Sequence, residues 1–180
     1  MNVCVFCGSG SGINPLYSET ARKLGLLMAR ASMGLVYGGG NIGLMGTLAD
    51  AVMEAGGKVT GVIPAFLMDK EVGHTRITDL EVVESMHQRK QRMADLADAF
   101  IALPGGWGTL EEVSEILTWK QLGLIVQPLI LLNTNHFFDP LLDQMRLMVK
   151  EGFLKSGSFK LLQVESTPEK ILSLLIGQKV

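Results

Sequence analysis

The chain has 180 residues, 47% of them hydrophobic and 19% charged, with 16 basic and 18 acidic side chains and a formal charge of −2. That length fits a single domain over residues 1–180, large enough to bury a core without a disulfide or metal staple. The absence of a basic tail or Lys/Arg stripe argues against a nucleic-acid polymer as partner, and no window approaches the roughly 18 uncharged apolar residues of a membrane span.

In chain order, short apolar runs alternate with longer amphipathic stretches, the pattern of a parallel sheet with crossover helices. Asn2–Cys7 reads as the first strand; it lacks the basic lead-in of an export signal, which points to the cytoplasm. Asn14–Met33 reads as a helix with Asn14 as N-cap, Pro15 at the first helical position and Gly34 as the closing glycine. A short strand at Leu35–Tyr37 precedes a helix over Gly43–Ala55, which Gly56-Gly57 ends. Lys58–Ile63 is a strand stopped by Pro64. The segment Ala65–Thr78 lacks clean periodicity and carries Asp69, Glu71, His74 and Arg76; a loop this long inside a compact domain is often functional.

Leu80–Val83 and Ala99–Leu103 read as strands flanking a helix over Met86–Ala97. A helix over Thr109–Leu122, a strand over Pro128–Leu132 and a helix over Phe137–Gly152 follow. Thr167–Ile176 is the last helix, capped by Thr167 with Pro168 next. The fold class expected is α/β: a Rossmann-like, doubly wound parallel sheet with helices on both faces, whose ligands bind at the carboxyl ends of the strands.

Cys4 and Cys7 have C-x-x-C spacing, yet Cys4 lies within the strand and Cys7 at its end, not at the helix N-terminus where redox pairs sit. A structural zinc would need two further ligands at suitable spacing, and none is present. His74 and His136 likewise have no metal-ligand spacing, so no metal and no cofactor are expected.

Three glycine-rich turns each follow a strand: Gly8-Ser9-Gly10-Ser11-Gly12, Gly38-Gly39-Gly40-Asn41-Ile42-Gly43 and Gly105-Gly106-Trp107-Gly108. All three should fall on one edge of the sheet, where successive free N–H groups and a following helix dipole form an anion-binding concavity. The second turn matches G-x-G-x-x-G, but the dinucleotide reading needs a carboxylate at the end of the next strand, and Gly61-Val62-Ile63-Pro64 offers none. The third turn adds Pro104 at the strand exit and Thr109 as a helix cap. Glu111 and Glu112 then fall in the first helical turn, where acidic side chains favour the positive helix end. Two carboxylates beside an anion site are costly unless the chemistry uses one of them.

Pro104-Gly105-Gly106-Trp107-Gly108-Thr109-Leu110-Glu111-Glu112 matches P-G-G-x-G-T-x-x-E, and Met86-His87-Gln88-Arg89-Lys90 matches a companion M-H-x-R-K element. With Cys7-Gly8-Ser9 and Gly38-Gly39-Gly40, these resemble the LONELY GUY family, often mislabelled as lysine decarboxylases, from Val3 to about Leu154. The resemblance implies a Rossmann-like homodimer. It also implies a phosphoribohydrolase that converts cytokinin riboside 5′-monophosphates, and in many bacterial members AMP, to free base and ribose 5-phosphate. Carried over, the catalytic pair is Arg89 and Glu112. Substrate contacts fall on Ser9, Gly39, Gly40, Glu71, Arg89, Lys90, the run Gly105, Gly106, Trp107, Gly108, Thr109, Leu110, Glu111, Glu112, and Thr118. Trp107 occupies the variable position of the motif.

Those residues suit N-glycosidic cleavage, which passes through an oxocarbenium-like ribose. Glu112 can place negative charge near C1′ and act as general base on water, help worth roughly 10²–10⁴-fold. Arg89 can hold ribose or phosphate, or keep Glu112 ionised, since a nearby positive charge favours the charged form. The departing base needs an acid, for which Asp69 and Glu71 are the candidates. Phosphate bound away from the scissile bond would orient the reacting centre. The partner expected is a small-molecule nucleoside monophosphate. Leu117 and Trp119–Leu124, with Met93, suit either a dimer seam or a base pocket. A molybdenum-cofactor carrier is the alternative, distinguished by its lack of need for a carboxylate facing ribose. A pyridoxal-phosphate decarboxylase would need a lysine Schiff base, for which Lys90 and Lys120 are available.

Overall fold

The computed structural model describes residues 1–68 and 72–177. Among them, seven strands form one sheet: β1 (Asn2–Phe6), β2 (Gly34–Tyr37), β3 (Val59–Pro64), β4 (Asp79–Val83), β5 (Ala99–Ala102), β6 (Leu129–Leu132) and β7 (Gln163–Glu165). Their order is β4-β3-β2-β1-β5-β6-β7, and each neighbouring pair is parallel. The helices are α1 (Leu16–Arg30), α2 (Gly43–Glu54), α3 (Met86–Leu96), α4 (Trp107–Gln121), α5 (Asp139–Lys150) and α6 (Pro168–Gly177).

The strands are apolar on both sides because both sides are covered. Val3 and Val5 face a core with Leu24 and Met28 of α1, Leu48 and Val52 of α2, and Ile171 of α6. Cys4 and Phe6 face the other core, with Met93 of α3, Val113 and Ile116 of α4, and Leu142 of α5. The chain winds from β1 outward to β4, then α3 carries it across the opposite face to β5, beside β1. The reversal between β1 and β5 is the topological switch point, where the connections after these two strands diverge and leave a crevice.

Local signals hold with instructive shifts. Asn14 accepts the Leu16 N–H through Oδ1 at 3.0 Å, and Pro15 takes helical angles at φ −60°. The same helix closes two residues before Gly34, on Ser32, which takes φ +55°. Met33 N–H bonds Met28 O at 2.9 Å and Ser32 N–H bonds Ala29 O at 2.9 Å, the paired bonds of a Schellman close. Gly34 instead begins β2. Gly56 plays the expected closing role after α2, at φ +76°. Strand β7 was not expected; three residues are too few for a period-two pattern to register.

The helix expected at Thr109 begins two residues earlier. Gly106 precedes it with non-helical angles, and the Leu110 N–H makes the first turn's bond to Gly106 O at 3.1 Å. Thr109 is therefore inside the first turn rather than its cap, and Glu111 and Glu112 lie in the second turn.

Candidate active site

All three glycine turns lie at the carboxyl ends of parallel strands, after β1, β2 and β5, so they meet on one edge. Backbone bonds join the turns: Gly8 N–H donates to Pro104 O at 3.1 Å, and Leu44 N–H donates to Gly8 O at 3.1 Å. Between them is a hollow of about 140 Å³ whose walls include Cys7, Ser9, Gly38, Arg89, Thr109 and Glu112. Gly106, Trp107 and Gly108 form its rim at the start of α4. The N–H groups of Trp107, Gly108 and Thr109 precede the first intrahelical bond and have no acceptor within the helix. With the helix dipole behind them they make an anion cradle.

Arg89 is the least expected feature of the hollow. Helical periodicity alone would place it on an exposed face, yet it is only 5% exposed. A buried guanidinium is costly unless its donors are matched. Here Nε donates to Val62 O at 3.1 Å and Nη2 to Gly38 O at 2.7 Å, so the carboxyl ends of β2 and β3 anchor it. A Cβ at position 38 would collide with Arg89 Nη2, so the glycine there makes room for the guanidinium. The second glycine turn thus serves a side chain. At Gly106 and Gly108, in contrast, no atom lies within 4 Å of where a Cβ would be, so their open side faces the space a ligand would occupy.

Arg89 and Glu112 converge from α3 and α4 on the floor formed by β1. Both act electrostatically on the Cys4 thiol, whose pKa is pushed up by burial first and by Glu112 next, and pulled down by Arg89. Thr109 is 3% exposed and sits against Gly105. Cys7 forms part of the hollow's wall, on the opposite sheet face from Cys4, and neither cysteine is in a disulfide.

Other residues expected at the site are placed elsewhere. Lys90 Nζ pairs with Glu111 and with Glu115, the latter at 3.1 Å, and so ties α3 to α4 beside the hollow. Burial pulls the Lys90 ammonium down, but its bonds to the two glutamates outweigh that and leave its pKa raised. Gly105 lines an adjoining hollow with Tyr17 and Phe137. Gly39 and Gly40 are buried under the segment Val72–His74, Leu110 packs on the α4 side of the core, and Thr118 is exposed, with Oγ1 donating to Ser114 O at 2.8 Å. Met93 is buried in the core and does not line a surface seam. Asp69 and Glu71 lie outside the described residues. Among the described residues, no group of three or more His, Cys, Asp or Glu side chains could hold a metal, and no helix is long and apolar enough to cross a membrane.

The sequence does not reveal the contact between buried His74 and half-exposed Asp50. His74 is 1% exposed, with Nε2 3.0 Å from Asp50 Oδ1. The signal was its position in the aperiodic segment, but nothing local predicts that the ring turns inward.

Fold and site together define a doubly wound α/β protein with an anion cradle and a buried arginine beside a carboxylate at the switch point of its sheet. Comparison with known proteins narrows this class. A family described as "Possible lysine decarboxylase" matches residues 45–175. A protein of Rhodococcoides fascians named cytokinin riboside 5′-monophosphate phosphoribohydrolase is 50% identical over 154 residues, covering 85% of this chain and 78% of that protein. A protein of that name from Oryza sativa subsp. japonica is 44% identical over 170 residues, covering 94% and 70%. One from Arabidopsis thaliana is 49% identical over 152 residues, covering 84% and 70%. Among solved structures, the molybdenum cofactor binding protein of Rippkaea orientalis superposes with a TM-score of 0.74 at 25% identity, covering 99% of this chain and 97% of that one. A molybdenum-cofactor carrier protein of Chlamydomonas reinhardtii gives 0.73 at 20% identity, covering 98% and 95%, and speaks for the fold alone. The chain belongs to the LONELY GUY family, the group also described as possible lysine decarboxylases.

Proposed function

We propose that this protein hydrolyses the N-glycosidic bond of purine nucleoside 5′-monophosphates, a cytokinin riboside 5′-monophosphate or AMP, to free base and ribose 5-phosphate. The observation that carries this reading is the meeting of Arg89 and Glu112 in one hollow at the start of α4. The 5′-phosphate sits on the N–H groups of Trp107, Gly108 and Thr109. The ribose lies toward Glu112, one helical turn further along α4. Glu112 accepts a proton from water as the water oxygen bonds C1′ and the C1′–N9 bond breaks. The electron pair of that bond leaves with the base, which takes up a proton. Arg89, held rigid by Val62 O and Gly38 O, balances the negative charge of Glu112 and phosphate. A cofactor carrier has no use for that carboxylate, which favours the hydrolase.

The hollow of about 140 Å³ is smaller than the roughly 300–1,000 Å³ of typical ligand sites. A second protomer would supply the missing wall, in line with the homodimer that the family resemblance implies. The face available is the end of α4 and the segment after it, where Leu122, Leu124 and Val126 are 65%, 67% and 87% exposed. Lys90 and Thr118, which lie off the hollow within one chain, are on the neighbouring surface of α3 and α4. We place the reaction in the cytoplasm, whose reducing conditions suit two cysteines outside any disulfide.

The test follows free base by chromatography with AMP, isopentenyladenosine monophosphate and adenosine. The protein is expected to release base from one or both nucleotides and from adenosine at least about a hundredfold more slowly in kcat/KM, since remote phosphate binding orients the reacting centre. Equal turnover of AMP and adenosine would refute the phosphate anchor. No release from either nucleotide would refute the hydrolase.

A further inference from the structure

We propose that His74 and Asp50 form a latch that sets the position of Arg89, making His74 a positioning residue for the hydrolase reaction. The inference rests on the hydrolase reading for its kinetic part and on geometry alone for its structural part. Arg89 depends on the Gly38 carbonyl, 2.7 Å from Nη2. That carbonyl belongs to a turn with no side chains of its own through Gly38-Gly39-Gly40, so something else must fix it.

What fixes it is the segment Val72–His74. The Asn41 N–H donates to Val72 O at 3.0 Å and the His74 N–H donates to Gly39 O at 2.9 Å, an antiparallel bridge centred on Gly40 and Gly73. Two backbone bonds between a glycine turn and a loop would fray, because each adds little net stability and glycine has the most conformational freedom to lose. The His74 ring supplies the missing anchorage. It is buried, and its Nε2 meets Asp50 Oδ1 on α2, the helix that grows out of the same glycine turn. Nδ1 is buried with no hydrogen-bond partner among the described residues, so within them the ring's polar contact is made to Asp50. The turn after β2 is therefore held at both sides, by α2 and by the loop, and Arg89 rests on its first carbonyl.

The experiment compares wild type, His74→Leu, Asp50→Ala and Asp50→Asn by steady-state release of adenine from AMP, together with amide hydrogen exchange. His74→Leu and Asp50→Ala are expected to lower kcat on the order of tenfold or more, the effect of a misplaced reacting group. KM should stay within about twofold, as for an interaction felt in the transition state. The Asn41 and His74 amides should exchange faster in both variants. Asp50→Asn keeps an acceptor for the ring N–H and should stay close to wild type. In an Arg89→Lys background, His74→Leu should cause no further loss, since both act through one group. Additive losses in that double variant, or unchanged exchange and kcat in His74→Leu and Asp50→Ala, would overturn the latch. If His74→Leu does not fold, Asp50→Ala carries the same test from the half-exposed end of the contact. A wild type that releases no adenine removes the hydrolase reading but leaves the exchange measurement to decide the latch.

Discussion

Of the site residues proposed above, Arg89 has the environment that the sequence least reveals. One of two arginines on an amphipathic helix, Arg89 gives no sign in the sequence that two strand-end carbonyls await it. Only the M-H-x-R-K match marked it. Glu112 is marked by its motif, yet it lies in the second turn of α4 and not the first, beyond the reach of the helix-end dipole. Thr109, read as a cap, is a buried first-turn residue instead. The glycines divide by role at the same scale. Gly38→Ala should push Arg89 from its carbonyls, with overpacking costing about 1–3 kcal/mol. Thermal denaturation should show the loss and base release should fall with it. A variant with wild-type melting temperature and wild-type rate would show that Arg89 has another resting place.

Elements were legible wherever periodicity was long and caps were local. α1, α2 and α6 were found through Asn14 and Pro15, Gly56, and Thr167 and Pro168, because cap chemistry involves near neighbours in sequence. Strand β7 and the closing role of Ser32 were not legible, since both depend on tertiary packing that overrides weak local preference. The placement of α3 is also a tertiary matter. Arg92 meets Glu81 of β4 through Nε at 2.6 Å and Nη2 at 2.9 Å, while Lys90 ties the helix to α4 on its other side. The hydrogen bond from Arg92, opposed by slight burial, holds the Glu81 carboxyl below its usual range. A depressed folded-state pKa stabilises above the unfolded value, and that stability is lost as pH falls through the folded value. Acid unfolding should therefore be less steep below about pH 4.5 in Arg92→Ala than in wild type. The difference should be small, because the pair is partly exposed and screened by solvent. Superimposable acid-unfolding curves would show that the pair adds nothing to stability.

At the scale of the whole molecule, the sheet order does most of the work. Once β1 and β5 are neighbours and all strands run one way, three separated glycine turns must meet on one edge. Alternating strands and helices made this much readable from the sequence. The homodimer proposed above, which the family resemblance implies, is also tested at this scale. Sedimentation should find wild type at twice the chain mass, and Leu124→Asp, which charges the exposed segment after α4, should shift it toward one. A monomeric wild type with full activity would mean that one chain completes the site by itself. The central claim remains that Glu112 and the α4 cradle act together on a nucleoside monophosphate. The most direct test is the rate of adenine release from AMP by Glu112→Gln, with its melting temperature measured alongside. The variant is expected to fold and its rate to fall at least about a hundredfold, the lower end of general-base contributions. A folded Glu112→Gln that cleaves at the wild-type rate would contradict it.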